Sequence, residues 1–423
     1  NDADFGGGLS QCNGRIENNR IENNSAYKGA GLYQCHGEII NNIISNNRIR
    51  LSTRYEIGGG GLYSCNGLIS GNIIAYNYYD QYDEEDEPCY GGGICYCGGK
   101  IVNNTIYGNS AEFYGGIYYS EEIPEISNCI IFHNISTDAR QIPCTAQPRY
   151  SCIDNWSGGG TGNIRVFPEF ADFASSDFHL LPNSACIDAG EFTSQTSQDL
   201  EGRPRPVVFP ELSRGDGSGF DMGALEFTGE PVSISTPTPT PTPSPICSIS
   251  VPGDFSTIQS AIDHAEPGCE VIVTSGTWIE NINFKGKNIV LRSTEPSSDT
   301  VKSLTVIRGT GEGPVVTFSG MEGTTCVLSG LTITGGAAPR GAGVLGNGSR
   351  AMITECIIRN NIAGTEGETG YGGGVYGVNG LLRDNVISEN SATQRGGGLC
   401  FCNGGIVNNI IESNFSGRRD RKS

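Results

Sequence analysis

The chain has 423 residues with 62 Gly, 16 Cys and a formal net charge of −19. That charge opposes binding to nucleic acid or to anionic membrane surfaces, and no run of 18 apolar residues supplies a membrane-spanning helix. Sixteen Cys suit an oxidising, extracellular or cell-surface location better than the cytosol. The two C-x-C pairs, Cys95/Cys97 and Cys400/Cys402, have no His cluster beside them, which disfavours a metal site; no cofactor is expected. The first residue is Asn rather than Met, so the chain is expected to be processed or cut from something longer.

Residues 1–166 repeat one short text. It reads NRIENN from residue 19, NIISNN from 42, NIIAYN from 72, NTIYGN from 104 and CIIFHN from 129. One column is always Ile: Ile21, Ile44, Ile74, Ile106 and Ile131. Three residues on, another is always Asn: Asn24, Asn47, Asn77, Asn109 and Asn134. The Ile spacings are 23, 30, 32 and 25. Helical repeats hold a fixed period, whereas coils of short strands joined by extensible loops do not need one. Each repeat also carries two or three β-rich segments between Gly or Asn, as in GGGLYSC followed by NGLISGNIIAYN. This predicts a parallel β-helix with coils ~4.8 Å apart. The Ile column becomes a buried stack. The Asn column becomes a ladder of side-chain amides at a turn, in residues that tolerate left-handed dihedrals. The Gly triplets mark a second bend where side chains would clash.

Five Cys follow Gly triplets in one column: Cys12, Cys35, Cys65, Cys97 and Cys402. Strand parity sets them opposite Leu9, Leu32 and Leu62. They read either as disulfide staples between coils or as a stack of buried thiols. Cys144 with Cys152 would close a short loop. The acidic run YDQYDEEDEPCY at 79–90 brings Asp83, Glu84, Asp86 and Glu87 together. These are candidate Ca²⁺ ligands by their oxygen atoms, against the plainer reading of a solvated inserted loop. Tyr33, Tyr63, Tyr76, Tyr78, Tyr79, Tyr82, Tyr118 and Tyr119 are expected on the surface, as a strip for sugar rings or as ordinary filler of a β surface. Lys100, Arg15 and Arg54 stand isolated in the sequence, and His36 and His133 fall in unrelated columns. Together these give no acid/base pair of the kind a polysaccharide-cleaving site requires.

Residues 167–227 change character, with FPEFADFASSDFHLLPNSACIDAG and later DMGALEF. Asp216 and Asp221 read as turn formers. Residues 228–246 contain TPTPTPTPSP, an extended, stiff linker. From 247 the text returns to strands. TIQSAIDHA has helical spacing near 257–265 with Thr257 as N-cap, and Cys247 with Cys269 reads as a staple fastening that helix. The repeat then resumes as CIIRNN, NVISEN and NIIESN. It carries Ile358, Ile387 and Ile411 in the Ile column and Asn361, Asn390 and Asn414 in the Asn column.

The motif G-G-G-[IL]-x-x-x followed by N-x-I-x-x-N resembles right-handed parallel β-helix repeat proteins of pectin-lyase-like fold over roughly 1–165 and 250–415. Residues 167–227 resemble the choice-of-anchor module that closes many surface β-helices. The resemblance implies an all-β chain in inverted order. Residues 1–166 would be the C-terminal half of a β-helix, 167–227 its capping module, 228–246 the linker, and 247–423 the N-terminal half with its plug helix.

The tail would then meet the head. The 12 residues after Ile411 and the 21 up to Ile21 make 33, one ordinary coil. An open solenoid end is costly. The join could lie within a chain or between chains, or both ends could be cuts from a longer array. The leading expectation is a secreted structural protein whose ends stack head-to-tail on copies of itself into an extracellular filament or surface stalk. The alternatives are a carbohydrate-active, lyase-like β-helix and a carbohydrate-binding surface adhesin, each with polysaccharide as partner.

Overall fold

The computed structural model describes residues 5–50, 57–79, 88–120, 122–212, 214–229, 247–364 and 368–417. The linker from 230 to 246, the acidic residues Asp83, Glu84, Asp86 and Glu87, and Tyr82 and Arg54 lie outside them. The fold is all-β, a right-handed parallel β-helix with 35% strand and 5% helix. Its strands are two to four residues long because Gly, Asn or a left-handed residue interrupts each apolar run. They stack into sheets of 10, 12, 12 and 7 strands. Pairing along these stacks is parallel, as at Leu62 with Leu32 and at Ile74 with Ile44.

The Ile column forms the core of the third sheet. Ile21, Ile44, Ile74, Ile106, Ile131, Ile358, Ile387 and Ile411 are all fully buried, each contributing roughly 2–3 kcal/mol relative to exposure. The Asn column runs beside it. Asn47 Nδ2 donates to Asn77 Oδ1 at 2.9 Å, and Asn77 Nδ2 donates to Asn109 Oδ1 at 2.8 Å. Each backbone N–H at these positions donates to the same oxygen as the amide, so every rung satisfies two donors. Gln141 ends this ladder by accepting from Asn134 at 2.9 Å. A second ladder, Asn409–Asn19–Asn42–Asn72–Asn104, runs two residues before the Ile column. It is the leading Asn of N-x-I-x-x-N.

Two local expectations are corrected. The left-handed residue is not the ladder Asn but the one before it: Asn23, Asn46, Tyr76, His133, Asn360, Glu389 and Ser413 all have φ between 52° and 55°. The Cys column also faces inward, in the same core cluster as Leu9, Leu32 and Leu62. Gln11, Gln34, Ser64, Tyr96 and Phe401 each have φ between 49° and 54°. One left-handed residue between Leu and Cys reverses strand alternation. The glycine bend behaves as steric reasoning requires. A Cβ on Gly31 would sit 2.5 Å from the Gly61 carbonyl oxygen and 3.1 Å from Ile44 Cγ2.

The chain's first and last described coils are neighbours in the middle of the stack. Leu9 pairs with Leu399, Ile16 with Ile406, Ile21 with Ile411 and Ser25 with Phe415, so all four sheets cross the join in register. Both Asn ladders cross it too, Asn414 Nδ2 donating to Asn24 Oδ1 at 3.2 Å and Asn409 Nδ2 to Asn19 Oδ1 at 3.0 Å. Of the three arrangements that sequence allows, this structure holds the join within one chain.

One end of the stack, at strand Ser248–Val251, is covered by helix Ile258–His264. Thr257 caps it by accepting from Ser260 N, and Ile258, Ala261 and Ile262 face the core. Glu280 accepts the orphan N–H groups of Ile258 and Gln259, both at 2.9 Å, and Lys287 donates to the last carbonyls. A disulfide joins Cys247 to Cys269. A second helix, Asp299–Leu304, is capped by Ser298 and has no counterpart in the sequence reading.

Residues 167–229 lie along the outer flank of the third sheet. Phe170, Phe178, Leu180, Ile187 and Met222 pack on Ile73, Tyr107, Ile130 and Phe132. Left-handed Asn residues of the solenoid reach out to hold them: Asn41 Nδ2 donates to Asp199 O at 3.1 Å, Asn103 Nδ2 to Asp221 O at 3.1 Å and Asn128 Nδ2 to Glu191 O at 2.8 Å. Apart from one antiparallel pair, Phe170–Asp172 with Asp177–Leu180, this segment is tied by buried carboxylates. Asp199 accepts from the N–H groups of Glu201, Arg203 and Glu226. Asp221 accepts from Asp188 N at 2.7 Å and Phe227 N at 2.6 Å. Asp221 is therefore a buried anchor rather than an exposed turn former. Asp216 does hold a turn, accepting from Phe192 N and Ser218 N.

Candidate functional site

The cluster of groups best placed to meet a ligand lies where the flanking segment leaves the solenoid. Two adjoining cavities of ≈ 450 and ≈ 540 Å³ share Ile135. The first is lined by Tyr78, Tyr79, Ser110, Ser136 and Thr137. The second is lined by Tyr76, Tyr107, His133, Phe173 and Ala174. Repeat geometry builds both. Tyr76 and His133 occupy the left-handed position before a ladder Asn, which turns their side chains away from the core. Ile135, directly after Asn134, is 66% exposed, and Tyr78 is 41% exposed.

The polar groups are positioned by hydrogen bonds. Tyr76 Oη donates to the Phe173 carbonyl, joining solenoid to flanking segment. Tyr107 Oη meets His133 Nδ1 at 2.9 Å. Burial, then the neighbouring Tyr76 and Asp154, push the Tyr107 phenol up to about 12. It therefore stays a protonated hydroxyl at neutral pH, able to donate or accept. Thr137 Oγ1 donates to Glu112 O at 2.6 Å. The groove thus offers apolar and aromatic surface rimmed by hydroxyls and one imidazole, a combination suited to a polyhydroxylated ring with one apolar face.

Other sequence candidates fall elsewhere. Tyr33, Tyr63 and Tyr119 are buried rather than exposed. The Phe5, Tyr33 and Tyr63 rings stack on one another at 4.4 and 5.7 Å, so their faces are taken by neighbouring coils. Arg15 is flanked by Glu17 at 2.7 Å and Glu38 at 2.6 Å. Those hydrogen bonds raise the guanidinium's pKa, the opposite of what a catalytic base needs. Lys100 lies 3.5 Å from Glu125. Cys402, Cys12, Cys35, Cys65 and Cys97 form a continuous row of contacting thiols, unbonded and fully buried. Cys144 is exposed, while Cys152 is buried against the flanking segment. Among the described residues no group of three or more His, Cys, Asp or Glu is gathered as for a metal ion, and no helix is long and apolar enough to cross a membrane.

Comparison with known protein families, with curated proteins and with solved structures gives no match to this chain.

Proposed function

We propose that the protein is an extracellular β-helix scaffold of pectin-lyase-like type that binds a carbohydrate in the groove around Ile135. The exposed apolar residue at the meeting point of two tyrosine- and hydroxyl-lined cavities carries this reading. The disulfide at Cys247–Cys269 is compatible with secretion, and the 167–227 segment would be the anchor-type module of a surface protein. The test is calorimetric titration of the whole chain with neutral oligosaccharides and with oligogalacturonate. Ile135→Asp should weaken binding about tenfold or more by charging the apolar floor, with thermal unfolding unchanged because the side chain is exposed. Failure of every oligosaccharide to bind, or equal binding by the variant, would sink the proposal.

A second reading, the filament, draws on the join. The surfaces that pair within this chain are complementary in every sheet, so exchange of the 247–417 half between copies would build the head-to-tail assembly by the same contacts. Because the join is satisfied within one chain, exchange needs high protein concentration. Light scattering across a concentration series that finds one monomeric species throughout would exclude it.

A further inference from the structure

We propose that Cys152 and Cys186 form a disulfide that fastens the 167–229 segment to the flank of the solenoid. Strand Cys152–Ile153 is the last of the third sheet. Its alternation sends Ile153 into the main core and Cys152 outward into the lateral cluster. Cys186 enters the same cluster from the flanking segment, held in place as its carbonyl accepts from Met222 N at 3.1 Å and its N–H donates to Ser184 Oγ at 3.2 Å. Both side chains are fully buried and meet in this one cluster, where the Cys152 thiol donates to Val166 O at 3.1 Å.

This pair differs from the thiol row in the main core. There, as at Cys247 and Cys269, the cysteines sit side by side on adjacent parallel coils. Cys152 and Cys186 belong to segments that are not paired to each other as strands, so a bond between them would tie the solenoid to the segment packed on its flank rather than one coil to the next. The pair sets a cysteine of the solenoid in the same buried cluster as a cysteine of the segment packed on it. Cys144, the sequence-level partner for Cys152, is exposed instead.

The bond forms by thiol–disulfide exchange with an oxidant that carries a disulfide, either glutathione disulfide or a protein carrier. One cysteine loses its proton, and its thiolate attacks an oxidant sulfur, releasing the first oxidant thiolate. The second cysteine, also deprotonated, attacks the resulting mixed disulfide and releases the second. Two protons and two electrons leave the pair, and the oxidant disulfide is reduced to two thiols. Because neither sulfur is exposed in the folded state, the exchange precedes closure of the segment.

The experiment uses the full wild-type chain, refolded with glutathione disulfide until Cys247–Cys269 is completely linked. Free thiols are then alkylated in denaturant without reductant, and the digest is examined by mass spectrometry. The expected result is one cross-linked product containing residues 152 and 186, lighter by two hydrogens than its reduced halves. Recovery of the two cysteines as separately alkylated peptides, or of Cys152 linked to Cys144, overturns the assignment. A second measurement tests the fastening. Under oxidising conditions Cys186→Ser should speed limited proteolysis within 167–229 by about tenfold, as local opening becomes easier. An unchanged rate overturns the fastening role.

Discussion

Asn24 gives the sharpest test of the join. Its side chain is fully buried and makes four hydrogen bonds: Nδ2 donates to Asn47 Oδ1 at 3.0 Å and to Ile411 O at 2.9 Å, while Oδ1 accepts from Asn414 N at 3.1 Å and Asn414 Nδ2 at 3.2 Å. Three of the four cross to the other half of the chain. Asn24→Ala keeps the backbone N–H bond to Asn47 but strands the Asn414 N–H inside the core and removes the amide bonds to Asn47, Asn414 and the Ile411 carbonyl. The stranded donor costs about 1–3 kcal/mol and each other lost bond about 0.5–1.5 kcal/mol, so the variant should lose about 2–6 kcal/mol. Asn47 is the control. It makes the equivalent bonds within one half, to Ile21 O at 2.8 Å and Asn77 Oδ1 at 2.9 Å, and Asn47→Ala should cost about the same. The assay is urea unfolding of wild type and both variants, with hydrogen exchange of the 395–417 amides to locate the loss. If the halves were not docked, Asn24 would have few bonds to lose. A cost below about 1 kcal/mol for Asn24→Ala, beside several for Asn47→Ala, would refute the reasoning.

Three further outcomes follow from local geometry. Glu389 has φ of 55°, so Glu389→Val should cost about 2 kcal/mol by forcing a β-branched residue into the left-handed region, whereas Glu389→Gly should be no less stable than wild type; unfolding midpoints decide it. Thr257→Ala should lose about 1 kcal/mol as the plug helix loses its cap, visible as faster exchange of the Ser260 amide. The flanking segment should loosen as pH rises. Burial, then the charge of Glu226, raises the Asp221 pKa, and burial raises that of Glu226 against the opposing pull of Arg205. The folded state therefore holds protons the unfolded chain has released. Its stability is full below the ordinary carboxylate range and falls as pH climbs from there through the raised folded values. Glu226→Gln, by removing the like charge beside Asp221, should flatten that slope in thermal melts; a slope of opposite sign in wild type would contradict the linkage.

The Ile and Asn columns are legible in sequence because their offset of three residues is fixed by one turn of the coil, whatever the loops between coils do. The second Asn ladder is equally present in the motif. The inward direction of Cys12 and its column is not legible, since a single left-handed residue such as Gln11 inverts an alternation rule without changing composition. The groove is legible only in part. Tyr76 and His133 share a column two residues after the Ile, a signal open to inspection. Phe173, however, comes from the flanking segment, and no spacing rule predicts where a segment with so little regular structure will pack. Cys186 escapes for the same reason. Its partner is set by tertiary packing and not by the repeat.

In a solenoid each coil touches only its neighbours, so the order in which coils occur along the chain has little effect on the core once all are stacked. A generic Ile–Asn cross-section would let any two open ends meet, and the interior alone cannot specify this join. The exterior can. Arg395 lies 5.5 Å over the Phe5 ring and donates to Gln11 Oε1 at 2.8 Å. On another face Arg50 lies 4.8 Å over Phe415 and 4.9 Å over Tyr27. The contacts of Arg395 with Phe5 and of Arg50 with Phe415 each join one half to the other, and a cation–π contact contributes about 0.5–1 kcal/mol at exposed sites, small beside the buried ladders. Their effect is on register: a slip by one coil keeps Ile on Ile and Asn on Asn but separates Arg395 from Phe5 and Arg50 from Phe415. The core supplies the affinity of the two halves, and the surface pairs select the coil at which they meet.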